Sequence, residues 1–318
     1  MLKILAITGP IYVAIAFGYV MTRLGVFNVA DMRALGKYVI YIALPALLFK
    51  AMAQRPIAEN LNGAYLLVYS IGSLAVLGIG WLWGRRVMRL GQTDTAFLSM
   101  GMMCSNSAFV GYPVLLLVVA PVAGMALALN VIVENIVALP LLLALAEHGR
   151  DQGPRDYRVI GRSIRALARN PLILAVAAGI GISLLGTKLP EPVVRTISLF
   201  AASSGAVSLI VIGGTLVGVP VTGVGRRVAP IAIGKLILHP IAVLLAAQSL
   251  PLIGGPAMIP SLRLAAVLSA AMPMFGVYPI LAQAYQVGGT SAAALLITTS
   301  ASFVTLSGLL WALSNMQS

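Results

Sequence analysis

The residues best able to do chemistry in this sequence are the few polar and charged ones set inside long apolar stretches. Asn130 and Glu134, in Asn130-Val131-Ile132-Val133-Glu134-Asn135, are four apart and so share a helix face. Charge on a carboxyl surrounded by apolar side chains is costly unless a cation stands nearby, so Glu134 reads either as a proton carrier or as half of a fixed ion pair. Lys235 and His239, in Lys235-Leu236-Ile237-Leu238-His239-Pro240, are also four apart. They are the natural cationic partners of Glu134 or of an anionic substrate. The alternatives are that Lys235 snorkels to the interface near Arg226 and Arg227, and that His239 is a packed hydrogen-bonding ring rather than a group that changes charge.

A further constellation, Ser105-Asn106-Ser107, supplies an amide and hydroxyls just ahead of Phe109-Val110-Gly111-Tyr112-Pro113, a motif nearly repeated in Phe275-Gly276-Val277-Tyr278-Pro279. Inside a helix a glycine costs about 1 kcal/mol and a proline about 3 kcal/mol, and in hydrocarbon every freed backbone group needs a new partner. Two such breaks at corresponding places mark an inverted-repeat transporter with its binding site between broken helices. The candidate substrate contacts are Ser105, Asn106, Ser107, Gly111 and Pro113 at the first break, and Gly276, Pro279 and Gln283 at the second. Hydroxyl and amide donors could hold a carboxylate and their oxygens a cation; equally, they could satisfy the broken backbone, and Gln283 could serve a helix–helix hydrogen bond. Pairing the two motifs sets Asn106 opposite Met272, so the half-sites are chemically unequal and polarity concentrates on the first.

The elements that must position these groups are membrane helices. Of 318 residues 60% are hydrophobic and 9% charged, with mean hydropathy +1.00, whereas soluble domains carry about 25% charged residues. Ten apolar stretches lie at about 4–20, 35–54, 61–83, 95–119, 124–146, 171–187, 194–218, 228–250, 262–286 and 290–313. They match the ~20 residues a spanning helix requires, the fourth and ninth being discontinuous. Pro45, mid-span in the second, predicts a kink.

A net charge of +13 could signal nucleic acid, but its placement follows the membrane. Arg23, Arg33, Lys37, Arg85, Arg86, Arg89, the arginines of 150–169, Arg226 and Arg227 fall on one side; Lys3, Lys50, Arg55, Lys188, Arg195 and Arg263 fall on the other. The positive-inside rule assigns the first set to the cytoplasm and both termini to the outside of a multi-pass plasma membrane protein, with no nucleic-acid partner. Lys50, near Arg55, is either an interfacial anchor or an entry site for anions. The single cysteine, Cys104, excludes an internal disulfide and a cysteine metal cluster.

The halves of the chain align at a nearly constant offset. Gly9-Pro10 through Gly18 matches Asn170-Pro171 through Gly179, Leu47-Leu48 falls on Leu209-Ile210, and Ile71-Gly72-Ser73-Leu74 falls on Ile233-Gly234-Lys235-Leu236. Five segments per half is an odd number, so the halves enter the membrane from opposite sides. The expected fold is an all-α membrane protein of ten transmembrane helices in a 5+5 inverted repeat: residues 1–146, a cytoplasmic linker 147–169, and residues 170–318.

The run Ala43-Leu44-Pro45-Ala46-Leu47-Leu48-Phe49, the segments Asn106-Ser107-Ala108-Phe109-Val110-Gly111-Tyr112-Pro113 and Met272-Pro273-Met274-Phe275-Gly276-Val277-Tyr278-Pro279, and the ten-segment plan resemble the auxin efflux carrier family. The resemblance covers the whole chain, and bacterial members of that family are permeases related in fold to the bile acid sodium symporters. It implies a scaffold of helices 1, 2, 6 and 7 and a transport domain of helices 3–5 and 8–10, with helices 4 and 9 broken and crossing at their prolines. It further implies an elevator movement, a homodimer formed through the scaffold, and substrate contacts at Asn106. For a bacterial member it implies a small carboxylate such as malonate or malate.

The leading function is therefore a secondary-active or potential-driven carrier of a small organic anion, without a cofactor and with H+ or Na+ as candidate coupling ion. The alternatives are a sodium-coupled bile-acid-like symporter, an auxin-like efflux carrier, and a channel or sensor on the same fold. An enzyme is not expected: the sequence has no paired aspartates for a prenyl diphosphate, no His or Cys cluster and no Gly-x-Ser-x-Gly motif. It also lacks the Gly-x-x-x-x-Gly-Lys-[Ser/Thr] motif of an ATP-driven pump.

Overall fold

Prolines set the rhythm of the helices. The computed structural model describes residues 2–54, 61–149, 165, 168–187, 189–218, 228–285, 287 and 291–315. Its helices in chain order are α1 (Leu2–Arg23), α2 (Val29–Tyr38), α3 (Leu44–Ala53), α4 (Gly63–Leu82), α5 (Gln92–Met103), α6 (Tyr112–Ile132) and α7 (Leu139–His148), then α8 (Pro171–Leu185), α9 (Glu191–Thr215), α10 (Val228–Ile233), α11 (His239–Leu252), α12 (Pro260–Ala271), α13 (Tyr278–Ala284) and α14 (Ser291–Asn315). Widened π turns occur at Val39–Ala43 (π1), Trp83–Val87 (π2), Ser107–Gly111 (π3), Val133–Ala138 (π4) and Gly234–Leu238 (π5).

A proline inside a helix has no N–H to donate and its ring clashes with the carbonyl four residues back. Opening the preceding turn relieves both conflicts without ending the helix. Accordingly π1 is followed by Leu44-Pro45, π3 by Tyr112-Pro113, π4 by Leu139-Pro140 and π5 by His239-Pro240. The kink expected at Pro45 takes the form of π1.

Six helices among the described residues are long and apolar enough to cross a membrane: Val29–Ala53, Gly63–Val87, Ser107–His148, Glu191–Thr215, Val228–Leu252 and Ala293–Ala312. Pro171–Leu185 and Pro260–Ala271 are shorter apolar helices. The 42-residue run Ser107–His148 bends at Val119, whose φ of −139° and ψ of 46° are not helical, two residues before Pro121. Among the described residues the chain is all-helical, with six helices of spanning length and shorter apolar helices where ten spans were expected. The expected fourth stretch is interrupted after Met103, and its remainder runs on through this bend into the fifth.

By contacts the chain divides into two units. Unit 1 comprises Met1–Gly63, Ser107–Val131 and Ala168–Gly218. Its helices close up where side chains are smallest, as membrane helices do. A Cβ on Gly213 would fall on the Ile15 carbonyl and one on Gly18 on the Ile210 carbonyl, which presses α1 onto α9; Gly179 likewise brings α8 against the Phe49 carbonyl in α3. Gly18 and Gly179, matched in sequence, therefore do the same job. The Tyr38 hydroxyl lies 2.7 Å from Ser203 Oγ.

Unit 2 comprises Ala64–Asn106, Ile132–Leu167 and Val219–Ser318. Every residue of α5 from Thr95 to Met103 is buried, as is every residue of α12 from Ala265 to Ala271. Helices apolar on all sides belong to a core. Around α5 pack Val76, Leu142, Ile231, Tyr278 and Ala294. The Phe97 and Tyr278 rings meet edge to face at 6.2 Å, and the Tyr278 hydroxyl donates to the Phe97 carbonyl at 3.1 Å.

Candidate functional site

The site is built where α5 and α12 stop. After Met103 the backbone turns extended at Cys104 (φ −74°, ψ 123°), and after Ala271 it does so at Met272 (φ −64°, ψ 154°), directly before Pro273. Ser105 and Met274 then face each other in an isolated antiparallel bridge. The Asn106 N–H donates to the Pro273 carbonyl at 2.8 Å, and the Phe275 N–H donates to the Cys104 carbonyl at 3.3 Å. Groups freed by breaking a helix must be paired again inside a membrane. Here each interruption supplies the partners the other needs.

The first motif thus follows its interruption, while the second begins inside its own, at Phe275 and Gly276. Tyr112-Pro113 follows π3 within the helix that starts at Ser107, whereas Tyr278-Pro279 opens α13, where a proline's missing N–H costs nothing. Gly276 is exposed in the turn ahead of α13, and Pro279, in the first turn of that helix, is half-buried.

Beside the bridge lies a line of buried polar side chains, all in unit 2. Lys235, carried by π5, and His239, the first residue of α11, are fully buried. Lys235 Nζ lies 2.7 Å from each of three acceptors: Ser105 Oγ, the Ala270 carbonyl and His239 Nδ1. A lysine ammonium has three N–H donors and no acceptor, so these contacts use all of them. With Nδ1 accepting, the ring proton of His239 is assigned to Nε2, which donates to Ser73 Oγ at 2.9 Å. The Tyr69 hydroxyl lies 3.2 Å from Ser105 Oγ and 3.1 Å from Glu134 Oε1. Its one proton serves two acceptors, which links half-buried Glu134 to the Lys235 side of the cluster.

Lys235 is thus buried in the cluster rather than extended to an interface, and the His239 ring is hydrogen-bonded at both nitrogens. The structure brings together Ser105, Asn106, Glu134, Lys235 and His239. Ser107, Gly111, Pro113 and Asn130 are buried and fall in unit 1. The side chain of Gln283, and the arginines 150, 155, 158, 162, 226 and 227, lie outside the described residues. Cys104 is a buried thiol in the unit 2 core.

Tyr69 and Ser73 were not singled out by sequence. They stand four apart on α4, and their partners lie 36, 65 and 166 residues away. One signal was present: the repeat alignment sets Ser73 opposite Lys235, and both touch the His239 ring. Among the described residues no group of three or more His, Cys, Asp or Glu could hold a metal ion.

Residues 8–311 match the family described as membrane transport protein. The chain is 29% identical over 317 residues to a protein of Rhizobium meliloti (strain 1021) named "Putative malonate transporter", covering 98% of this chain and 96% of that one. With this match and the long apolar helices, the chain is a multi-pass membrane protein.

Proposed function

We propose, on the premise that this chain belongs to the membrane transport protein family, that it carries a small organic anion of the malonate or malate type across the plasma membrane by an elevator movement. The observation that carries this reading is the mutual repair of the two interruptions with a buried ammonium beside them. Lys235 places an ammonium against Ser105, and the next residue is Asn106, whose amide NH2 is a donor suited to a carboxylate. Because the three acceptors around Nζ occupy its donors, Lys235 acts on the anion through its field and through Ser105, and the direct contacts fall to Asn106 and Ser105 with backbone at Gly276 and Pro279.

The elevator reading is supported by unit 2 holding both interruptions and the whole charged cluster, so that it can move as one body with its site intact. In this reading unit 2 is the transport domain, helices of unit 1 form the scaffold and the homodimer contact, and the matched glycines Gly18 and Gly179 reflect a 5+5 inverted repeat. The orientation proposed from charge has both termini outside and the basic linker in the cytoplasm. The run Glu134, Tyr69, Ser105, Lys235, His239, Ser73 consists of exchangeable protons, which favours H+ over Na+ as the coupling ion.

The test is uptake of radiolabelled malonate and malate into proteoliposomes, with and without a pH gradient or sodium. Saturable, pH-gradient-dependent uptake that Asn106→Ala lowers by about 10–100-fold in kcat/KM while the protein remains folded is expected. Unchanged kinetics in that variant would overturn the assignment of the site.

A further inference from the structure

Unit 1 contains a cavity of about 620 Å³ that the proposed transport site does not use. It lies at one rim of the unit, where three helices end or begin together: Phe49, Lys50 and Gln54 at the C-terminal end of α3, Ile182 and Thr187 at that of α8, and Val194 in the first turn of α9. Helix ends of membrane-spanning segments lie at headgroup depth. Most of the lining is apolar.

Lys50 has no hydrogen-bond or ion-pair partner for its ammonium among the described residues. Arg195 on the same rim is neutralised by Glu191 at 2.5 Å. Leu184 and Leu185 at the end of α8 are 64% and 75% exposed.

We propose that this cavity binds the headgroup of an anionic phospholipid, with the phosphate on Lys50 and the acyl chain on the Phe49, Ile182 and Val194 wall. One ammonium, a carboxamide and a hydroxyl at the rim of an apolar hollow match a monoanionic amphiphile. A small dicarboxylate would meet one cation for its two charges and leave the apolar wall bare. Basic pockets between membrane helices recognise lipid headgroups by this same combination.

The test is native mass spectrometry of the full-length protein, released from vesicles of equal phosphatidylglycerol and phosphatidylethanolamine and delipidated stepwise. The wild type should retain phosphatidylglycerol preferentially. Lys50→Gln should lose that preference by about fivefold, from the ~1 kcal/mol of one lysine near a lipid surface. Lys50→Arg should keep it, as should Arg195→Gln. Val194→Trp, which fills the hollow while keeping Lys50, should lose bound lipid and report on the cavity if the lysine variants express poorly. Equal retention in Lys50→Gln, or no lipid preference in the wild type, would overturn the proposal. So would displacement of the lipid by millimolar malonate, which would make the hollow a vestibule for the small anion.

Discussion

At the end of α5 the first residues outside the helix are Cys104, Ser105 and Asn106; at the end of α12 they are Met272, Pro273 and Met274. The backbones do the same thing, each donating one N–H to a carbonyl of the other. The side chains do not. The first interruption offers a hydroxyl and an amide, the second apolar methionines that are fully buried. Backbone repair is a demand that hydrocarbon makes on both segments equally, whereas an anion needs polar atoms on only one side of its path. Charge comes from neither interruption: it arrives on π5, in Lys235, and reaches the first through Ser105.

Removing that charge should break the comparison most severely. Lys235→Met leaves Ser105 Oγ, the Ala270 carbonyl and His239 Nδ1 without their donor, and opening a buried charged network of this kind costs about 3–5 kcal/mol. We expect a large drop in melting temperature and no uptake. A variant of normal stability and uptake would show that the bridge holds without the ammonium.

Next in size is the contrast between Asn106→Ala and Met272→Ala. Losing hydrogen bonds to a charged ligand costs about 1.5–3 kcal/mol, or about 10–100-fold in kcat/KM for uptake. Met272→Ala should cost stability by leaving a cavity, about 2–5 kcal/mol, while the uptake of the folded fraction stays near wild type. Similar transport losses in the two would remove the asymmetry.

Tyr69→Phe is a smaller cut. It deletes the hydroxyl between Ser105 and Glu134, worth about 1 kcal/mol of stability. If the line of protons couples transport, the variant should lose most of its response to a pH gradient while binding malonate with unchanged affinity. Gradient-driven uptake at the wild-type level would disconnect Glu134 from coupling.

The two interruptions were legible in sequence as a pair but not in position. Gly and Pro announced that something happens near residues 109–113 and 275–279, and prolines do dictate π1, π3, π4 and π5. Where a helix stops, however, depends on what the freed backbone can find. Cys104 and Phe275 find each other across more than half the chain, a contact with no local signature. Glu134, Lys235 and His239 stood out because charge and imidazole are rare in such a composition. Tyr69 and Ser73 did not, because tyrosine and serine are ordinary in apolar helices and only their distant partners give them meaning.

The smallest expected effect falls on the second interruption itself. Gly276 is exposed, and a Cβ built there meets nothing within 4 Å, unlike one on Gly72, which would press on Val243. Gly276→Ala should therefore leave stability within about 0.5 kcal/mol of wild type, whereas Gly72→Ala should cost about 1–3 kcal/mol by overpacking. If substrate passes close to the backbone at Gly276, the added methyl should raise KM for uptake by about threefold, well under 1 kcal/mol, with kcat unchanged. An unaltered KM would leave the second interruption as backbone support alone and concentrate recognition on Ser105 and Asn106.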